Sequence, residues 1–126
     1  MPAAYEIDEQ RRLVITTASG RLTLADALAH QQELLKDPRF DPSFSQIMDL
    51  TNVTEFALEA ADIRKVAARS VFSPTSKRAI VASTDLGYGY ARMFEILREI
   101  AGENGVRVFR KLDEALDWIL SDDMTG

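Results

Sequence analysis

The chain has 126 residues, no cysteine and a formal net charge of -5. This length fits a single domain with one buried core, and the lack of cysteine excludes disulfides, thiolate metal ligands and a thiol nucleophile. The acidic balance argues against nonspecific nucleic-acid binding, which needs a basic surface. We expect a cytoplasmic protein without membrane insertion, because the sequence shows neither a signal peptide nor an apolar run near the roughly 20 residues of a spanning helix.

The chain begins with a predicted β-hairpin. Residues 5–8 alternate between apolar and polar side chains, as half-buried strands do, and in residues 13–18 Leu13, Ile15 and Thr17 alternate with Val14, Thr16 and Ala18. The polar connection over residues 9–12 has hairpin length, and Gly20 is predicted to end the second strand. The first strand would lie at a sheet edge, whose unpaired side allows a homodimer.

Residues 45–50 are predicted to form the buried central strand of the sheet, because a short apolar run there closes on Asp49. Residues 51–56 are predicted to form the turn that follows. One helix is predicted between a Thr23–Asp26 capping box and Pro38, and a second over about residues 59–72. A strand over residues 79–83 is expected next, followed by a helix that is capped by Thr84 or Asp85 and ends at Asn104. The last two elements are a strand over residues 106–109 and a helix capped by Asp113. The order predicts one α/β domain over residues 1–126: a five-stranded, mostly parallel sheet with an N-terminal β-hairpin and four helices.

Two acidic residues follow neighbouring parallel strands of this predicted sheet. Ligands bind at the carboxyl ends of such strands, so Asp49 and Asp85 suggest a magnesium site. The alternative is structural, with Asp85 capping the third helix and Asp49 accepting from the amides of Asn52 or Val53. No other cofactor is indicated.

Glycines at the start of the third helix suggest a second kind of site. Gly87 and Gly89 would leave backbone N–H groups open as an anion cradle, or they relieve crowding against the neighbouring strand. Tyr88 lies between them and is expected to face a ligand or partner. His30, the only histidine, is off the apolar face of its helix and is predicted to be solvated. Without a second histidine, a cysteine or a nucleophile elbow the sequence predicts no enzyme.

Several short segments resemble the STAS domain, the anti-sigma-factor-antagonist fold, and more specifically small bacterial SpoIIAA-like proteins. They are residues 37–40, 47–54, 89–94, 108–109 and 115–118. The resemblance implies a non-enzymatic module that docks onto a partner protein and is often switched by phosphorylation of a serine at the helix after the central strand. That turn corresponds to residues 57–60, which contain no hydroxyl, while Glu59 supplies a permanent negative charge.

The function predicted from these features is a non-catalytic, regulatory protein-interaction module whose partner is unidentified. The residues expected to contact the partner or a ligand are Asp49, Thr51, Thr54, Phe56, Leu58, Asp85 and Tyr88. The alternative is a protein that binds a small lipid-like or anionic molecule at the carboxyl edge of the sheet, with Phe56, Leu86 and Tyr88 lining an apolar mouth.

Overall fold

The computed structural model describes residues 3–69 and 71–121. Its elements are β1 (Ala3–Asp8), β2 (Leu13–Thr23), α1 (Leu24–Lys36), β3 (Ser45–Ala57), α2 (Ala60–Ala67), β4 (Arg78–Val81), α3 (Asp85–Ile100), β5 (Val106–Phe109) and α4 (Leu112–Leu120). The strands form one sheet in chain order, with β1 antiparallel to β2 and the other neighbours parallel. The predicted α/β fold with its N-terminal hairpin and four helices is confirmed.

Helices cover both faces of the sheet, three on one side and one on the other. Successive strand residues point to opposite faces, so Ile47 of β3 packs beneath α4 with Val81 and Ala115. The opposite face carries the clusters that include Leu34 of α1, Ile63 of α2 and Ala91 of α3. None of the helices in the described ranges is both long and apolar enough to cross a membrane.

The capping box of α1 forms as predicted. The Thr23 amide donates to Asp26 Oδ2 at 3.0 Å, and the Asp26 amide donates to Thr23 Oγ1 at 3.2 Å. At α3 the cap is Thr84, whose Oγ1 accepts from the Gly87 amide at 3.1 Å. Asp85 is therefore the first residue of α3 rather than its cap.

The predicted bounds of three helices are corrected, and α3 ends at Ile100 rather than at Asn104. Helix α2 ends at Ala67 instead of near residue 72, because Val71 and Phe72 leave the helix and pack into the core beside Leu34. Helix α4 begins two residues earlier than predicted. Its cap position is Lys111, and Asp113 lies inside its first turn.

The largest correction concerns β3, which does not end near Asp49. It continues to Ala57, and its last residues pair with residues 19–23 of β2, so that residues 51–56 are strand rather than turn. β4 pairs with β3 only as far as Asp49, opposite Val81. Gly20 adopts a φ of +66° at a register shift within β2 and does not end that strand. The two longest strands thus project past β4 as a two-stranded extension.

Candidate functional site

Asp49 lies in the buried part of β3 and is engaged within its own strand. Its Oδ1 accepts from the Thr51 amide at 2.9 Å and from Thr51 Oγ1 at 2.6 Å. The predicted partners were the amides of Asn52 or Val53. Thr51 and Thr54 are exposed on the extension. Asp49 alternates onto the face that α4 covers, the same face as Ile47. Its carboxylate therefore stabilises the point where β3 leaves β4.

Polar groups at the start of α3 form an exposed cluster. Arg110 Nη1 lies 3.0 Å from Asp85 Oδ1 and donates to the Ser83 carbonyl at 3.3 Å. The Arg110 guanidinium also lies 4.1 Å from the centre of the Tyr88 ring, and Leu86 beside it is 58% exposed. We call Ser83, Asp85, Leu86, Tyr88 and Arg110 the α3 rim.

Arg110 was not among the predicted site residues, although it directly follows β5 at the carboxyl edge of the sheet. It gives Asp85 a cationic partner, while Asp49 bonds to its own strand. Within residues 3–69 and 71–121, no three histidine or carboxylate side chains form a group that could hold a metal ion. The geometry therefore favours a structural role for both aspartates over a magnesium site.

The glycines of α3 do not form an open cradle. The Gly87 amide already donates to Thr84 Oγ1, and a Cβ on Gly87 would lie 2.8 Å from Phe56 Cζ. Gly89 is the fifth residue of α3, beyond the four whose N–H groups a helix leaves unpaired. A Cβ there would meet nothing within 4 Å. Gly87 is thus needed for the close approach of β3 to α3, whereas Gly89 is not.

Two of the predicted contact residues belong to the interior. Leu58 is buried in the core with Ile63, and its carbonyl accepts from the Tyr90 hydroxyl at 2.8 Å. Phe56 is half-buried, with its ring centre 5.9 Å from that of Tyr90. Phe56 lies in β3 and Leu58 directly follows that strand, and both face inward because this segment packs against Tyr90 of α3.

The start of α2 lies directly after β3, where the resemblance placed the phosphorylated turn of related domains. Glu59 occupies the N-cap position of α2 and is exposed. Its amide donates to Asp62 Oδ2 at 2.9 Å. Two carboxylates therefore lie at the positive end of the helix dipole, where negative charge is stabilising.

A cavity of about 120 Å³ lies between the sheet and the helices α1, α2 and α3, which cover one of its faces. Apolar side chains form most of its wall, among them Ala27 of α1, Ile63 of α2 and Ala91 of α3. Phe56 and Leu58 contribute to this wall, whereas the other predicted site residues do not. The cavity is thus separate from the α3 rim.

His30 lies in the cavity wall and corrects the prediction of a solvated side chain. It is 6% exposed, and its Nε2 lies 3.0 Å from Thr16 Oγ1. Thr16 in turn accepts from Gln46 Nε2 at 3.2 Å. Burial lowers the pKa of His30 from 6.5 to about 4, so the imidazole is neutral at pH 7.

Arg78 of β4 is the charged group of the cavity wall. Its Nη1 donates to Glu103 Oε1 at 3.2 Å, and the same oxygen accepts from Arg98 Nε at 3.0 Å. The Arg78 guanidinium lies over the rings of Phe72 and Phe94, at 4.6 and 5.3 Å from their centres. Burial lowers the pKa of Arg78 to about 10, which leaves it charged at neutral pH.

Comparison with solved structures finds an uncharacterised protein of the DUF3478 family from Shewanella loihica PV-4, whose crystal structure has a SpoIIAA-like fold. The likeness covers 93% of each chain at 20% sequence identity, with a TM-score of 0.60. No protein-family model and no curated protein matches the chain. The chain therefore has a SpoIIAA-like fold, in agreement with the resemblance seen in its sequence. At this identity the likeness concerns the fold alone.

Proposed function

We propose that this chain is a non-catalytic regulatory module that binds a partner protein through the α3 rim. The observation that carries the proposal is the exposed Leu86 in the first turn of α3, the turn that also contains Tyr88 and the Asp85 of the Asp85–Arg110 ion pair. An apolar centre with aromatic and arginine neighbours is the composition of protein–protein hot spots. The SpoIIAA-like fold supports the same function.

The geometry of the only histidine also favours binding over catalysis. His30 pairs with the Thr16 hydroxyl, but Thr16 is fully buried and forms no part of the cavity wall. The hydroxyl also accepts from Gln46. This pair therefore presents no nucleophile to a substrate.

Partner binding would not depend on phosphorylation at the start of α2. Phosphorylation there would act by adding negative charge to a helix N-terminus. Glu59 and Asp62 already supply such charge. We therefore expect a module that is always competent to bind, with its activity set by the concentration of the partner.

The test compares two exposed apolar residues at opposite ends of α3. A photo-crosslinking residue at position 86 identifies the partner in cells of the source organism, and the complex is then rebuilt from purified proteins. Leu86→Asp is expected to weaken that complex about tenfold or more, the effect of removing a hot-spot side chain. Ile100→Asp, at a residue that is 79% exposed, serves as the control and should leave affinity unchanged.

Phosphatase treatment of the purified chain should not alter the affinity. Equal affinity of both variants and the wild type would contradict docking at the α3 rim, and so would equal weakening by both. Circular dichroism of the two variants checks that each keeps its fold.

A further inference from the structure

We propose that the cavity beneath α1, α2 and α3 is a binding site for a small hydroxylated carboxylic acid with one ring-sized apolar body. Its carboxylate would accept a hydrogen bond from Arg78 Nε, and its hydroxyl would donate to Gln31 Oε1. The site lies apart from the α3 rim, since Asp85, Leu86 and Tyr88 do not line the cavity.

The polarity of the ligand follows from two buried atoms in the wall. Arg78 Nε and Gln31 Oε1 are buried and have no hydrogen-bond partner in the described protein. Both side chains line the cavity, and their residues are only 8% and 9% exposed. Buried polar groups are nearly always bonded, and each exception points to a missing partner. One atom is a donor and the other an acceptor, so a ligand that reaches both atoms would offer the reverse pair.

One other polar atom of each side chain already has a partner. Gln31 Nε2 donates to the Val66 carbonyl at 3.1 Å, which fixes the amide with its oxygen as the unbonded atom. Arg78 Nη1 is held by Glu103, and its guanidinium is stacked on Phe72. These contacts preorganise the two unbonded atoms, and preorganised groups bind at a smaller cost in entropy.

The charge of the ligand follows from the fact that Arg78 and Arg98 share the single carboxylate of Glu103. Glu103 accepts from Arg98 as well as from Arg78, so its negative charge is divided between two buried guanidiniums. A second anion at Arg78 Nε would make a charge-assisted hydrogen bond in a site of low polarity. A carboxylate is therefore favoured over a neutral carbonyl or ether oxygen.

The size and apolar wall define the rest of the molecule. An engineered apolar cavity of about 150 Å³ binds benzene, so a cavity of about 120 Å³ accommodates a body near the size of one ring. It is too small for a long acyl chain, which separates this ligand from the lipid-like molecule expected at the sheet edge. Tyr90 and Phe94 supply aromatic surface to the wall.

The experiment uses the full chain with the three hydroxybenzoate isomers as probes, and with benzoate and phenol as partial ligands. Amide chemical shifts locate the binding, and calorimetry at pH 7 measures the affinity. At least one isomer should bind more tightly than both partial ligands, with shifts at the cavity wall. Arg78→Met should weaken that isomer about tenfold or more, because it removes the charge-assisted bond, while leaving the affinity for phenol unchanged.

Ala27→Leu, which fills the cavity, should abolish binding, and Ala29→Leu serves as its control because Ala29 is exposed on the same helix. Binding that survives Ala27→Leu in a folded variant would overturn the proposal, as would shifts confined to the α3 rim. Equal affinity for phenol and every isomer would overturn it as well. A crystal structure of the probe-soaked protein in which only water bonds to Arg78 Nε would also overturn the proposal. Leu86→Asp should not affect these probes, so this test and the partner test can fail separately.

Discussion

The buried cluster of Arg78, Arg98 and Glu103 allows a test of how charge is balanced inside this fold. Glu103→Gln removes the single carboxylate that both guanidiniums share. Arg78→Met removes one guanidinium and leaves the other paired with Glu103. The two substitutions act on the same cluster, yet they change its charge balance in opposite directions.

The expected magnitudes follow from burial and from the remaining partners. Glu103 is 4% exposed, and removal of one member of a buried ion pair costs about 3–5 kcal/mol. Arg78→Met keeps an unbranched side chain between Phe72 and Phe94, where a thioether packs well. It should cost about 1 kcal/mol or less, since a volume-conserving change leaves the second pair intact.

Urea denaturation at pH 7, monitored by circular dichroism, measures the free energy of unfolding of each of the two variants. Glu103→Gln should lower the midpoint strongly with an unchanged slope, because the slope reports the surface exposed on unfolding. Arg78→Met should lie near the wild type. If Arg78→Met were as destabilising as Glu103→Gln, the guanidinium of Arg78 would be required for the native state and the reasoning would be refuted.

The remaining predictions concern three other features of the chain. His30→Gln should flatten the pH dependence of stability. The pKa of His30 is about 4 in the folded chain and 6.5 in the unfolded chain, so the unfolded chain binds more protons between these pH values. The stability of the wild type therefore rises with pH over this range, by at most about 3 kcal/mol. Urea midpoints at pH 4.5 and 7 compare the two proteins, and equal pH dependence in both would show that His30 is not responsible. Gly87→Ala should destabilise by about 1–3 kcal/mol because its Cβ meets Phe56, while Gly89→Ala should stabilise by about 0.5–1 kcal/mol as an open helix position; thermal melts giving the reverse order would contradict the packing described. Magnesium should leave the melting temperatures of the wild type and of Asp49→Asn unchanged, and a rise seen only in the wild type would restore the metal hypothesis.

The features that could be predicted from the sequence are those that local chemistry specifies. Thr23 and Asp26 form the predicted capping box because both of its hydrogen bonds lie within four residues. β4 could be recognised because it is covered on both faces, so all four of its residues are buried. Three of these residues, at positions 79–81, are apolar, and an apolar run of this kind marks a covered strand in the sequence. Element order followed from these signals, and the sheet topology followed from the order.

The end of β3 could not be predicted, because it depends on pairing with a distant strand. Residues 51–56 include several polar side chains that are typical of a turn. They remain in a strand because β2 extends beside them, so that Arg21 pairs with Glu55 and Leu22 with Phe56. The exposed side chains are polar because β4 ends at Val81 and leaves this part of β3 without a second neighbour.

The cavity could not be predicted for a related reason. Its polar wall includes His30, Gln31 and Arg78, and such polar residues are less often fully buried than apolar ones. Each is bonded to a group far away in sequence: Thr16 lies 14 residues from His30, Val66 lies 35 residues from Gln31, and Glu103 lies 25 residues from Arg78. A helical pattern contains no information on such partners, so His30 was assigned to solvent on its position alone.

These exceptions concentrate at two places in the fold. Local rules hold for the hairpin and for most helix starts, whereas they fail at the end of β3 and for His30, Gln31 and Arg78 in the cavity wall. A leucine at position 31 would fill space without an unbonded carbonyl, and an apolar residue at position 78 would remove a buried charge. A chain selected for stability alone would gain from the first change and lose little by the second. Positions that depart from local consistency without a compensating gain in packing are those at which function is expected. The same reasoning gives the cavity a stronger basis as a small-molecule site than the carboxyl edge of the sheet, where Asp49 and Gly87 already have their hydrogen bonds within the protein.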